Sequence, residues 1–411
     1  MNDPRRPLDR PLNRRLLLGG AVGAVTLSAC STQQMLNVAL AKDPKAALKS
    51  VAQNRVEDYK SNPELLVEDV KRAKAEYDRL MASLKKNSSK KWGERESNTL
   101  PSRTRYVKYT DDYKSRAIVD YDAGTILIEC IDEPQVKDKL QHATVVALLT
   151  PSDPGAVDLF SDKDVELSGT PYLQGLVVDQ NNAPINTRDE AQNYANWLAA
   201  NRVQQRQIDA NGTNKTVYSV LMKMVNAFID KRAVEYAPVV RQNSDKTKVS
   251  RSLIYAIIRI ESSFNPYAVS SVPAYGMMQL VPSSGGREAY RKAFGKDVEP
   301  SKEFLFVPEN NIQLGAALLG TLLYDGPLSS IDDPLSREYC AIAAYNTGPS
   351  NVMRAFSDAG NAKARQLEAI NTINAMRPDA VYNALRTKLP YEETRSYIVK
   401  AVQAKKTYAA M

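Results

Sequence analysis

Three residue types that often build special sites are scarce in this chain. Among its 411 residues there are one His, two Trp and three Cys. His142 lies in a helical pattern without a Cys or His companion, so the sequence offers no ligand set for a metal. Cys130 and Cys340 each lie in an apolar run, which favours two free buried thiols over a disulfide. We therefore expect neither a metal nor another cofactor.

The chain also lacks the patterns of nucleotide and nucleic-acid binding. Its first half contains no glycine-rich phosphate loop. The formal net charge is +8, but no basic run is interleaved with aromatic residues. A positive surface favours a polyanionic partner, and anionic lipid or an acidic cell-wall polymer would both suffice. Nucleic acid is not an expected partner.

The amino terminus carries an export signal. The cationic stretch Asn13–Arg15 precedes a short apolar run, 16–25, which is too short to span a bilayer as a permanent helix. Leu27-Ser28-Ala29-Cys30 resembles the bacterial lipobox, which implies lipidation of Cys30, and Ser31 after it implies the outer membrane. We expect a signal peptide over 1–30 and a lipid anchor that faces the periplasm. The arginine pair leaves export through Sec or Tat open.

Residues 31–224 predict a mixed α/β domain behind a helical spacer. Apolar residues from Pro63 to Met81 are spaced three or four apart, as in an amphipathic helix. The strand patterns lie at 104–109, 116–121, 125–128, 175–179 and 215–222, and the helical patterns at 134–149 and 188–207. This order is typical of an α+β domain. Its acids are scattered, so we expect it to place or bind rather than to catalyse.

Residues 225–411 predict an all-α domain. Strand patterns stop near Val225, and glycines and prolines separate the apolar segments that follow. The predicted helices lie at 227–240, 249–260, 310–323, 336–345, 351–356 and 394–402. The expected fold class is therefore α+β, with a mixed domain followed by a helical one.

One acid stands at the end of the most apolar of these helices. Glu261 falls in the last turn before Pro266. Burial and the negative end of the helix dipole both raise the pKa of a carboxyl group there, as a general acid requires. On position alone, a Glu that caps or pairs at a helix end is the commoner case. The hydroxyls of 262–270, the stretch Gly276–Gln279 and Tyr345-Asn346 favour a sugar-binding site around the acid.

Four blocks in this half resemble the motif set of the lysozyme-like lytic transglycosylases. They are Glu261–Pro266 with Ala268-Val269-Ser270, then Gly276–Pro282, then Ala344–Gly348, and finally Pro390, Glu393-Thr394-Arg395 and Tyr397. Together they cover most of 225–405. The resemblance implies a goose-type lysozyme-like fold and cleavage of peptidoglycan.

The resemblance also implies the roles of individual residues. Glu261 would act as catalytic acid and then as base, forming a 1,6-anhydromuramyl end without water. The substrate-binding residues would be Ser262, Ser270, Met278, Gln279, Tyr345, Asn346 and Tyr397. Two positions depart from the pattern, because Val272 stands where some relatives have a second serine and Tyr275 stands where a smaller aliphatic residue is usual. Protein partners are not indicated.

Two other functions stay open at this point. A water-using muramidase needs a second acid, for which Asp297 or Glu299 is available in the sequence. A lipid-anchored scaffold would hold peptidoglycan without cutting it. The retained Glu261 argues against a scaffold, because burying an acid costs free energy.

Overall fold

The computed structural model describes residues 63–131 and 133–411. The predicted signal peptide, the lipobox and Cys30 lie outside the described residues. The first described element is helix α1, Pro63–Trp92, which confirms the predicted helix and extends it by three turns. Within the described ranges, no helix has the length and apolar character needed to cross a membrane.

The amino-terminal domain is built on a five-stranded antiparallel sheet. Its strands are β1 Arg105–Thr110, β2 Ser115–Asp120, β3 Thr125–Cys130, β4 Gln204–Ala210 and β5 Thr213–Lys223, in the order β1-β2-β3-β5-β4. The first three strands and the last were predicted from their alternating and β-branched residues. The domain is α+β, as expected.

Helices cover both faces of this sheet. Side chains alternate across a strand, so Val107 faces Leu84 and Trp92 of α1 while Tyr106 belongs to the core on the opposite face. On that opposite face, α2 (Val136–Leu149) contacts β2, β3 and β5, and α3 (Arg188–Asn201) packs on α2. The domain therefore has its own two-sided core.

Two sequence predictions in this domain are wrong. Residues 175–179 do not form a strand, because the chain turns at Gly175 (φ +71°) and makes only a single bridge, between Val178 and Pro184. The helix predicted over 188–207 ends at Asn201, and the next residues form β4. The helix stops early because Asn211 and Gly212, both with positive φ, form a hairpin turn. This turn pairs β4 with β5.

The carboxyl-terminal domain, 225–411, is described throughout and contains helices without β-strands, as predicted. Its helices are α4 Phe228–Glu235, α5 Ala237–Thr247, α6 Arg251–Ser262, α7 Arg287–Phe294, α8 Lys302–Phe306, α9 Pro308–Gly320, α10 Pro334–Thr347, α11 Pro349–Arg354, α12 Ala362–Asn374, α13 Pro378–Lys388 and α14 Glu392–Thr407. The single helix predicted over 227–240 is two helices, because Pro238 starts a new first turn. Helices α7, α8, α12 and α13 were not predicted.

Helix α6 is the central helix of this domain. Ser250 caps its amino end, and Ser263 ends it in the left-handed conformation. Residues 253–258 are all buried, because α6 packs against α5, α9 and α14. This explains why its sequence is apolar on nearly every side.

The two domains share one continuous apolar core. The aromatic rings of Tyr106 and Tyr172, from the first domain, lie 4.9 and 5.6 Å from the ring of Tyr267 in the second. The Tyr267 hydroxyl donates to the backbone oxygen of Pro151 at 2.6 Å. The loop that follows α6 is therefore packed directly against the amino-terminal domain.

Candidate active site

Glu261 lies in the last turn of α6, and its side chain is nearly inaccessible, with 6% of the residue exposed. The Tyr397 hydroxyl donates to Oε1 at 2.7 Å. Nη1 of Arg103, from the amino-terminal domain, lies 3.5 Å from Oε2. Burial raises the pKa of Glu261 to about 7, against the opposing effects of Arg103 and Tyr397. The carboxyl group therefore holds its proton near neutral pH.

Two helix ends close around this acid. Tyr345, at the end of α10, donates its hydroxyl to the backbone oxygen of Met278 at 2.8 Å, and the nearby Glu261 contributes to the raised pKa of this tyrosine. Asn346 follows it, and its Oδ1 accepts a hydrogen bond from Thr394 of α14 at 2.7 Å. The contact fixes the ends of α10 and α14 relative to each other.

The loop after Glu261 has a strained backbone. Ser263 and Phe264 both have positive φ, +52° and +64°, which costs of order 1–3 kcal/mol each for residues other than glycine. Asp122 of the first domain accepts hydrogen bonds from Ser263 and from Arg259, and the guanidinium of Arg232 donates to the Phe264 oxygen at 3.0 Å. Contacts from both domains thus hold this conformation.

A second wall of the site is formed by Gly276–Gln279. A Cβ at Gly276, whose φ is +74°, would lie 2.2 Å from the Leu305 oxygen, so only glycine fits. The amide of Gln279 donates to the backbone oxygens of Ala268 and Gly276 at 3.1 and 2.9 Å. Its Oε1 is buried and has no hydrogen-bond partner among the described residues.

The structure places two of the predicted site residues beside Glu261. Tyr397 contacts Glu261, Tyr345 lies beside it, and Asn346 is the neighbour of Tyr345 on α10. Gln279 lies in the same wall as the Met278 oxygen that Tyr345 binds. These side chains come from segments far apart in the sequence, as the four motif blocks predicted.

Three predicted residues have other contacts. Ser262 is fully buried, and its hydroxyl donates to the oxygens of Ile258 and Met277, so it supports the site from behind. The Met278 side chain packs on α9, where a Cβ at Gly315 would meet its sulfur. Ser270 is half-buried, and its hydroxyl donates to the oxygen of Val272.

Sequence reasoning missed the residues that reach the site from outside the motif blocks. Arg103 precedes β1, and nothing in its local sequence sets it apart from the many other arginines. Asn311 of α9 is fully buried and binds the backbone of Tyr275, Met278 and Leu305. A buried Asn in an apolar helix was the available signal, because such a side chain must find several partners.

Of the two acids that could serve a muramidase as second carboxylate, Asp297 is engaged elsewhere. Asp297 makes a bidentate ion pair with Arg287 at 2.6 and 2.7 Å, which lowers the pKa of Asp297. Glu299 lies near α1, in a group that includes Arg72 and Tyr275. Across the part of the chain that the structure describes, no group of three His, Cys, Asp or Glu side chains could hold a metal ion.

Two family models match the chain, and they define its class. The model of the transglycosylase SLT domain matches residues 238–368, which contain Glu261 and Tyr345 but end before α14 and Tyr397. The model described as the amino-terminal domain of membrane-bound lytic murein transglycosylase C matches residues 62–235, which contain the five-stranded sheet.

Relatives match over most of the chain. Membrane-bound lytic murein transglycosylase C of Shigella sonnei is 42% identical over 333 residues, 81% of this chain and 89% of the relative. The protein of that name from Yersinia enterocolitica is 40% identical over 330 residues, 80% of this chain and 88% of the relative. The chain belongs to the membrane-bound lytic murein transglycosylase C family. Among solved structures, an inactive mutant of the lytic transglycosylase Slt from Pseudomonas aeruginosa is 29% identical, over 42% of this chain and 24% of that one, with a TM-score of 0.30.

Proposed function

We propose that the protein cleaves the β-1,4 bond between N-acetylmuramic acid and N-acetylglucosamine in murein, and that Glu261 is its catalytic acid and base. One observation carries this proposal: a single buried carboxyl group, with its pKa raised to about 7, lies between two polar side chains inside an SLT domain. Glu393, the other acid that acts on the Glu261 pKa, is exposed, so Glu261 is the buried carboxyl group available as a general acid, and a mechanism that uses it alone departs from both two-carboxylate mechanisms.

In the first step Glu261 gives its proton to the bridging oxygen. Oε1 already accepts a hydrogen bond from Tyr397, so the transferable proton belongs on Oε2. The bond between C1 of the muramyl ring and the bridging oxygen breaks, and the oxygen leaves as a hydroxyl group. The ring then carries positive charge, which the Glu261 carboxylate beside it stabilises.

In the second step the same carboxylate acts as base. It takes the proton of the C6 hydroxyl group of the muramyl ring, and the C6 oxygen bonds to C1. The product is a 1,6-anhydro ring, and Glu261 is protonated again. No water enters the reaction. In agreement with this, Asp297 is ion-paired with Arg287 and is not free to activate a water molecule as a second acid.

The polar groups around Glu261 suit the recognition of a sugar. The buried Oε1 of Gln279 is an acceptor without a protein partner among the described residues, and an acetamido N–H or a sugar hydroxyl would satisfy it. Tyr345 bonds the Met278 oxygen next to Gln279, and Asn346 follows Tyr345 on α10. Ser262 acts by holding the Met277 backbone.

We further propose that acylated Cys30 anchors the protein to the outer membrane, with both domains in the periplasm. The lipobox resemblance of Leu27–Cys30, the following Ser31 and the membrane-bound relatives support this placement. Radiolabelled palmitate is expected to enter the wild-type protein and not a Cys30→Ala variant in cells. Incorporation into the variant would contradict the assignment.

Isotope labelling tests the proposed reaction. Purified murein digested in water enriched in ¹⁸O is expected to yield anhydromuramyl ends without the label, because the C6 oxygen of the sugar closes the ring. A hydrolase would instead place one ¹⁸O at each new reducing end. Mass spectrometry of the released fragments distinguishes the two outcomes, and labelled reducing ends as the main product would overturn the proposal.

The pH dependence should follow the protonation of Glu261. We expect kcat/KM to fall above about pH 7, because the first step needs the protonated acid. Tyr397→Phe removes a hydrogen bond that lowers the Glu261 pKa, so the fall should move to higher pH while the maximal rate drops about 10- to 100-fold through lost orientation. Tyr339→Phe, on α10 and half-buried, is the control. An unchanged pH profile in Tyr397→Phe would contradict the assignment.

A further inference from the structure

We propose that Arg103 binds the lactyl carboxylate of the muramyl unit, and that the substrate thereby releases the Glu261 carboxyl group to act as acid. This inference rests on the proposed function. It assigns a substrate-binding role to the amino-terminal domain, which supplies Arg103, and it names the charged group that the site recognises.

The backbone of Arg103 is fixed at the site by the second domain. Nδ2 of Asn265 donates to the Arg103 oxygen at 3.0 Å, and the Val269 N–H donates to the Ser102 oxygen at 3.4 Å. Both donors belong to the loop that follows Glu261. The backbone of Arg103 therefore cannot move away from Glu261 without disturbing that loop.

The end of the Arg103 side chain is much freer than its backbone. The side chain is 42% exposed, whereas that of Glu261 is 8% exposed. In the described part of the chain, Glu261 is the only acid paired with this guanidinium, and at 3.5 Å the contact is an ion pair without a hydrogen bond. Since a guanidinium has five N–H donors in a fork that matches a carboxylate, most of its binding capacity remains available to a ligand.

The position of Arg103 opposes the first catalytic step. Oε2 is the oxygen that must carry the transferable proton, and a cation beside it favours the ionised carboxylate. A substrate anion that draws Arg103 away from Oε2 would remove the cation that favours ionised Glu261. It would also add a negative charge nearby, which favours the protonated carboxyl group. Glu261 would then take up one proton from solvent as the substrate binds.

The short distance between Arg103 and Glu261 limits which anion of the substrate can draw Arg103 away from the acid. Arg103 lies within 3.5 Å of the oxygen that approaches C1 of the muramyl ring, so the group it meets is carried by that ring. The lactyl carboxylate ends a short ether substituent on C3 of the ring, whereas peptide carboxylates lie several bonds further out. The other charged or titratable groups that face Glu261 are Tyr397 and Glu393 of α14 and Tyr345 of α10, and none of them is a cation.

The test compares three glycans with the same sugar backbone. The full chain, purified in detergent, is given an oligosaccharide with free lactyl carboxylates, the same oligosaccharide with those groups converted to methylamides, and a peptide-bearing glycan. We expect the wild type to prefer the free carboxylates over the methylamides at least tenfold in kcat/KM. Arg103→Gln should reduce this preference to within threefold, and Arg103→Lys should restore part of it. Arg105→Gln, which changes the same charge on an exposed neighbour, should retain the wild-type preference.

A second measurement separates this role from a structural one. Because Arg103→Gln removes a cation that favours ionised Glu261, the fall of kcat/KM should move to higher pH on the methylamide substrate. An unchanged carboxylate preference in Arg103→Gln would overturn the proposal. An Arg103-dependent preference for the peptide-bearing glycan alone would overturn it too, by placing the recognised carboxylate in the peptide. If the wild type forms no anhydromuramyl ends from any glycan, the proposed function itself is wrong.

Discussion

Glu261→Gln is expected to lower the formation of anhydromuramyl ends by about 10²–10⁴-fold, the usual contribution of a positioned acid–base group. Glutamine has the same shape and can still meet Tyr397 and Arg103, but it cannot transfer a proton to the bridging oxygen. Binding of the variant to murein should persist. Mass spectrometry of the products measures the loss of anhydromuramyl ends. A sedimentation assay with insoluble murein measures whether binding persists.

The same substitution should stabilise the fold at alkaline pH. The pKa of Glu261 is about 7 in the folded protein, against 4.5 ordinarily. Its contribution to stability is therefore full below about pH 4.5 and is lost as the pH rises through 7, because the buried carboxyl group must then ionise. At pH 8 the Gln variant should be more stable than the wild type by about 3 kcal/mol.

Opposite effects on activity and stability distinguish a catalytic acid from a structural one. The control is Glu392→Gln, the same change at an exposed acid on α14, which should alter neither quantity. If Glu261→Gln keeps more than a tenth of the wild-type activity, another group supplies the proton. If it loses both activity and stability at pH 8, the carboxyl group has a structural role instead.

Asn311→Ala is expected to give the largest loss of stability among the site substitutions, about 3–5 kcal/mol. The Asn311 amide donates to the oxygens of Tyr275 and Leu305 at 2.9 and 2.8 Å and accepts from the Met278 N–H at 2.7 Å. Alanine would leave the Met278 N–H and the Leu305 oxygen without these partners, while the Tyr275 oxygen would keep the hydrogen bond from the Leu280 N–H at 3.1 Å. Urea unfolding followed by circular dichroism measures the change.

The neighbouring residue supplies the matched control. Asn310 is half-buried and makes one long hydrogen bond, 3.4 Å, to the Phe304 oxygen, so Asn310→Ala should cost less than about 1 kcal/mol. Activity should also fall in Asn311→Ala, because the Met278 backbone that it releases carries the oxygen bound by Tyr345. Equal stability losses in the two variants would contradict the role given to Asn311.

Local patterns predicted the elements that form this site, but not every boundary. The pattern of α6 was clear because the helix is surrounded by protein, and the apolar run together with the motif blocks singled out the acid at its end. Strand β4 was missed because Gln204–Ala210 is mostly exposed and carries polar side chains, so it has no apolar alternation. Its signal was the Asn-Gly turn that follows it.

Contacts between distant segments limited what the sequence could show of the site. Arg103 and Asp122 lie in the first domain and reach the α6 loop only because the two domains pack together. No local spacing encodes that packing. For Ser262 the motif predicted too much. Its position in the motif predicted a contact with the sugar, but in the folded chain its hydroxyl donates to the Ile258 and Met277 oxygens.

The tyrosine contacts between the domains bear on how the protein can be divided. Cutting the chain before residue 225 would expose Tyr267 and remove Asp122 from Ser263, whose backbone conformation costs free energy. The helical domain would then have buried side chains exposed to water at the former domain interface. We therefore expect the helical half produced alone to be less stable than the full chain, with the loop after Glu261 less well held.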